Sequence, residues 1–178
     1  MSKLRVNSII PTSGVPAGGG GGIVQMIQTR TEDDDPASTM TTTTDITAGG
    51  STWTATTLEQ SINPVAAGSK ILIEVQTSFY QTSDDNTAGL TLYRSIDGNS
   101  FTSLTSSAWG LRPIFTYTAG GAADWQHMAC MSYLDTPNHG ENQKVTYKVY
   151  YKSDKSDNKL NGLRNGTQLI QLFEVSAA

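Results

Sequence analysis

Between Gln143 and Lys152 the side chains alternate: Val145, Tyr147, Val149 and Tyr151 share one side of an extended backbone, and Lys144, Thr146, Lys148 and Lys152 the other. A period of two belongs to a β-strand with one dry and one wet face, and an α-helix cannot satisfy it. The period recurs in Ile71, Ile73 and Val75 with Glu74 and Gln76 opposite, and in Leu90 and Leu92 with Thr91 and Tyr93 opposite. At the C-terminus the same spacing marks Leu169, Gln171, Phe173 and Val175 as one face. Weaker candidates are Ile23 to Thr31, Thr39 to Thr47, Thr57 to Ile62, Ile114 to Thr118 and Trp125 to Leu134. Turn signals separate them, among them Asn63-Pro64, Asp84-Asp85-Asn86, Ala119-Gly120-Gly121, Pro137 to Gly140 and Asn165-Gly166. Asp97-Gly98 is the strongest hairpin signal. About nine strands with no trustworthy helical period predict an all-β chain, an antiparallel jelly-roll-like sandwich.

Composition agrees and narrows the partners. Charged residues are 16% of the 178, and Thr, Ser, Asn, Gln and 17 glycines take their place. An average soluble domain carries about 25% charge. A net charge of −4 with no basic block gives no electrostatic reason to bind nucleic acid or an anionic membrane. No apolar run is long enough to span a bilayer, and Ile9-Ile10 is too short for a secretory signal. The chain is therefore expected to be made in a cytoplasm and to leave it inside a larger particle.

The length admits one domain with an attached arm. Residues 1–22 read as that arm, extended, with Leu4, Val6, Ile9, Ile10 and Pro11 as its contacts. Gly18, Gly19, Gly20, Gly21 and Gly22 form a neck, a run suited either to a flexible tether or to close approach of several backbones. Residues 23–178 read as the sandwich head. Within it Thr41 to Thr44 is strand-prone but offers no apolar face, which suits a sheet edge or a contact between subunits.

Catalytic patterns are missing. The sequence has no GxSxG, no HExxH, no Walker loop and no GxGxxG between strand and helix. The glycine run is followed by Ile23-Val24-Gln25, not by a lysine and a helix, so it does not read as a phosphate cradle. His127 and Cys130 point to opposite faces of one strand and cannot share a metal without a bulge. Cys130 then reads as a small buried hydrophobe, and the fold must do without a disulfide. Glu32 to Asp35 and Asp84-Asp85 lack the spaced ligand ladder of a calcium loop. No metal and no cofactor are expected. Two carboxylates meeting in space would suffice for a polysaccharide hydrolase, but nothing selects a pair among 16 acids. Aromatic rings are first candidates for the core. Trp53 and Trp109, flanked by Ser, Thr and Gly, are the candidates for surface recognition of sugar or protein.

The opening Met-Ser-Lys-Leu-Arg-Val-Asn-Ser-Ile-Ile-Pro-Thr-Ser-Gly-Val-Pro-Ala, running into the glycines and Ile23-Val24-Gln25, resembles the shared N-terminus of small virion structural proteins of marine bacteriophages, cyanophages among them. Ser69 to Val75, Leu92 to Ser95, Leu111 to Pro113, Tyr133 to Pro137, Val145 to Val149 and Gln168 to Val175 resemble the body of those proteins. The resemblance covers nearly the whole chain. It implies a fibre-like or capsid-decoration protein, a homotrimer whose arm attaches to other virion proteins of capsid or tail and whose head faces outward. Host surface polysaccharide is a further partner that such a head would meet. The resemblance carries over no catalytic residue, and the chain lacks the long shaft of a tail fibre, which favours a short appendage. A carbohydrate-binding lectin is the alternative.

Overall fold

The computed structural model describes residues 22–31, 44–45, 52–81, 86–116, 125–154, 159–160 and 168–176. Leu4, Val6, Ile9, Ile10, Pro11 and Gly18 to Gly21 lie outside the described residues. So do both acidic runs, Glu32 to Asp35 and Asp84-Asp85, and most of Thr39 to Thr47.

Eleven strands are described. They are β1 (Ile23–Thr31), β2 (Thr44–Asp45), β3 (Thr54–Ile62), β4 (Lys70–Gln81), β5 (Asn86–Ile96), β6 (Thr102–Ser103), β7 (Arg112–Thr116), β8 (Trp125–Asp135), β9 (Val145–Ser153), β10 (Lys159–Leu160) and β11 (Gln168–Val175). The eight longer strands are those the alternation predicts, and the ninth candidate contributes the two-residue β2. All pairings are antiparallel. The chain is therefore an all-β sandwich of two antiparallel sheets.

One sheet runs β1-β11-β4-β8, with the short β10 and β2 continuing past β11 along the same side of β4. The other runs β3-β9-β5, with β7 and then β6 sharing the far side of β5. The pairing is nested: β1 with β11, β3 with β9, β4 with β8, β5 with β7. The nested pairs are joined by β4 against β11 in one sheet and by β5 against β9 in the other.

The inner faces supply the core. Ile71, Ile73 and Val75 of β4, Leu90 and Leu92 of β5 and Val145, Tyr147, Val149 and Tyr151 of β9 are all buried, as their spacing predicts. The hairpin at Asp97-Gly98 is also as predicted. Asp97 (φ 52°) and Gly98 (φ 76°) both adopt left-handed conformations, and the Asn99 N–H donates to the Ile96 carbonyl at 3.1 Å. Two such residues in succession match the right-handed twist of the strands they join.

Two expectations fail. The face predicted for the closing strand is reversed: Ile170 and Leu172 enter the core, with Gln168 and Glu174 on the same side, while Leu169, Gln171, Phe173 and Val175 are half-buried on the outside. Counting apolar residues favours the wrong set, because a buried carboxylate with enough donors costs the inner face little. Cys130, expected as a small buried hydrophobe, is exposed. Its neighbours Ala129 and Met131 take the inward positions of β8.

Candidate recognition surface

The outer face of the β3-β9-β5 sheet brings the two predicted tryptophans together. On β9 the outward residues are Lys148, Tyr150 and Lys152, and on β5 they are Gly89, Thr91 and Tyr93, with Lys152 opposite Gly89 and Lys148 opposite Tyr93. Between β6 and β7 the chain arches from Leu104 to Leu111 across this face. The arch sits so close to β5 that a Cβ on Gly89 would collide with the Trp109 carbonyl oxygen. Gly110, at φ 77°, likewise faces the Leu90 carbonyl oxygen and the Trp53 ring. Both positions require glycine.

Under the arch, the Lys152 ammonium lies 4.5 Å from the Trp109 ring centre and 5.7 Å from that of Trp53. It donates to the Ala108 carbonyl at 2.9 Å. Each cation–ring contact is worth about 0.5–1 kcal/mol at a partly exposed site. Next along the face Tyr93 and Tyr150 stack at 3.8 Å. Beyond them Lys148 pairs with Glu59 at 3.0 Å and lies 5.8 Å from the Phe101 ring centre. Thr91, fully buried beside the tyrosines, has a hydroxyl with no hydrogen-bond partner among the described residues. The side of β9 that reads as wet is thus half-roofed by rings. Trp53 and Trp109 are not core residues; both are half-buried and fix a loop to a sheet.

The acids have different work. Asp135 on β8 and Glu174 on β11 both pair with Ile71 in register, so they flank it in one row on the inner face. Asp135 accepts from the Arg94 guanidinium at 2.7 and 2.9 Å and from the Tyr147 hydroxyl at 2.8 Å. Burial first, and the Asp135 charge second, push the Tyr147 hydroxyl far above the usual phenol range. Glu174 accepts from the Val65 N–H at 2.9 Å, the Ala66 N–H at 3.2 Å, the Ser69 hydroxyl at 2.7 Å and the Gln25 amide at 2.7 Å. Burial acts to raise its pKa, but these donors outweigh it and hold the carboxyl below the ordinary range. Ile71 between them is fully buried. Both carboxylates are thus spent on internal donors.

His139 is also internal: its ring nitrogens face the Ser69 and Gly140 carbonyl oxygens at 3.0 and 2.9 Å, which leaves neither for a metal. Among the described residues no three His, Cys, Asp or Glu side chains cluster as a metal site.

No family model matches the chain, and none of the curated proteins compared with it is similar to it.

Proposed function

We propose that the chain is a non-enzymatic structural protein of a phage virion, a short appendage anchored through residues 1–22, with residues 23–178 as a homotrimeric head. The resemblance at the N-terminus is the origin of this reading, and the place where the arm joins the head supports it. Gly22 enters β1, an edge strand, and its carbonyl accepts from the Ser176 N–H at 3.0 Å, so β1 begins at a corner of its sheet. That corner belongs to the end of the sandwich where Glu174 ties the Val65–Ser69 loop to β11 and Asp135 ties β8 to Arg94 and Tyr147. One largely buried ion pair and multiple hydrogen bonds make this end suited to transmit force from an anchor. The nested strand pairing supports the finer description of the head as a jelly roll.

Deletion of residues 1–16 is expected to leave a folded, soluble head that no longer joins particles. Incorporation of the truncated protein at the normal copy number, measured on purified virions, would refute the anchoring role.

A second reading, a lectin-like head that adheres to host polysaccharide, is favoured by the strip from Trp53 to Phe101. Ring faces alternate there with lysine donors, the two kinds of group a sugar uses. On a glycan array the intact head should bind and Trp53→Ala and Trp109→Ala should lose most of the signal; silence of the intact head removes this reading.

A further inference from the structure

Among the described residues four of the longer strands, β1, β3, β7 and β8, lie at sheet edges, and the first three are guarded. A bare edge is a template for another chain, and folded proteins blunt it with bulges, charges or proline. β1 has a bulge between Ile23 and Gln25 and carries Arg30. β3 has an irregularity between Ala55 and Glu59. β7 begins with Arg112-Pro113. β8 has none of these devices. It is 11 residues long, pairs without a bulge to β4, and among the described residues pairs with no other strand. Its one Asp, Asp135, is turned inward and neutralised by Arg94.

The face that ends at this edge is apolar where it should be wet. Strand register places Met26, Phe173, Leu72 and Leu134 in one row across β1, β11, β4 and β8. Met26 is 54% exposed and Leu134 50%, and Met128 further along β8 is 59% exposed. Ile23 and Val24 extend the patch at the β1 side, 63% and 42% exposed. Formal charges at outward positions of these four strands are Arg30, Lys70 and Glu74, so this face escapes the acidic bias of a chain with net charge −4.

We infer that this face, centred on β8, is where a second copy of the chain packs. Two observations choose that occupant. Copies with the same negative net charge repel one another, and this nearly neutral face adds no like-charge contact of its own to that repulsion. Four strands of roughly eight residues offer about 500 Å² per copy, and with a facing patch of equal size on the next copy around a trimer axis the contact reaches about 1,000 Å², the lower bound for a specific interface. The inference rests on the self-association in the proposed function but not on any attachment to a virion.

Met128→Lys and Leu134→Lys test it, because both side chains point outward and the substitutions leave the core untouched. Thr57→Lys on the other sheet's exposed face is the control. In sedimentation equilibrium over the micromolar range, with strand content checked by circular dichroism, the β8 variants should weaken association at least tenfold and the control should not. Cys130, exposed on β8, gives a readout that needs no variant: its reaction with a maleimide should slow at least tenfold as wild-type protein is concentrated. Assembled wild type with unaffected β8 variants, or a Cys130 rate independent of concentration, overturns the placement while self-association stands. A monomeric wild type across the range overturns both.

Discussion

Replacing Asp135 by alanine should destabilise the head by about 3–5 kcal/mol, because it strands two buried partners at once. Arg94 would keep a guanidinium that is mostly buried, and Tyr147 a hydroxyl that is wholly so, with no acceptor for either. Typical domains are stable by only about 5–15 kcal/mol, so the loss is a large share of the total. For a chain of this size it corresponds to a fall in Tm of roughly 6–20 °C, read by thermal denaturation. The cause is testable separately from the loss. If the cost is unpaired charge and not lost volume, the combined change Arg94→Met, Asp135→Leu and Tyr147→Phe should recover much of it, since apolar replacement of a whole buried polar cluster is often neutral. A combined variant less stable than Asp135→Ala alone would show that the cluster contributes more than mutual satisfaction.

Glu174 gives the second large effect, and it depends on pH. Its carboxyl sits below the ordinary range in the folded chain, so it contributes stability that is fully present above the unfolded carboxylate pKa of about 4.3. That contribution is lost as the pH falls through the lower, folded value, so the acid limb should steepen from about pH 5 downward. Glu174→Gln keeps the shape but turns an amide NH2 toward the Val65 and Ala66 N–H groups, the Ser69 hydroxyl and the Gln25 amide, all of which are donors. At neutral pH that conflict should cost about 2–4 kcal/mol. Urea midpoints for both proteins from pH 7 to pH 3 should therefore converge, wild type losing stability on the way down and the variant less. Parallel curves across that range would show that Glu174 is not the titrating group.

The strands were legible because their apolar faces are contiguous in sequence: β9 announces itself in Val145, Tyr147, Val149 and Tyr151, and the first hairpin in Asp97-Gly98. What failed was the assignment of faces where polarity and burial part company. Glu174 is inside because four donors from Val65, Ala66, Ser69 and Gln25 converge on it, and Gln25 is 149 residues away. Cys130 is outside because its neighbours Ala129 and Met131 take the inward positions of β8 and alternation turns the residue between them outward. The recognition strip was half visible. Trp53 and Trp109 stood out by their small, polar neighbours, but nothing local says that Gly89 and Gly110 let an arch close over β5, or that Lys152 lies between the rings. Asp135, Arg94 and Tyr147 come from three phrases that carry the resemblance, yet their meeting is a product of strand register and of the packing of one sheet on the other.

The place of β11 has a consequence in time. It lies between β1 and β4, so the sheet that holds both ends of the described head stays split until β11, the last of the described strands, arrives. During synthesis β1 must wait without its neighbour, and among the described strands β4 can pair only with β8 and the two-residue β10. Closure then joins residues nearly the whole chain apart, the kind of pairing that makes β-sandwiches fold in milliseconds to seconds and not faster. A head built this way completes itself only after the ribosome has released residues 168–176, and until then the apolar row of its outer face has no Phe173 to bridge it.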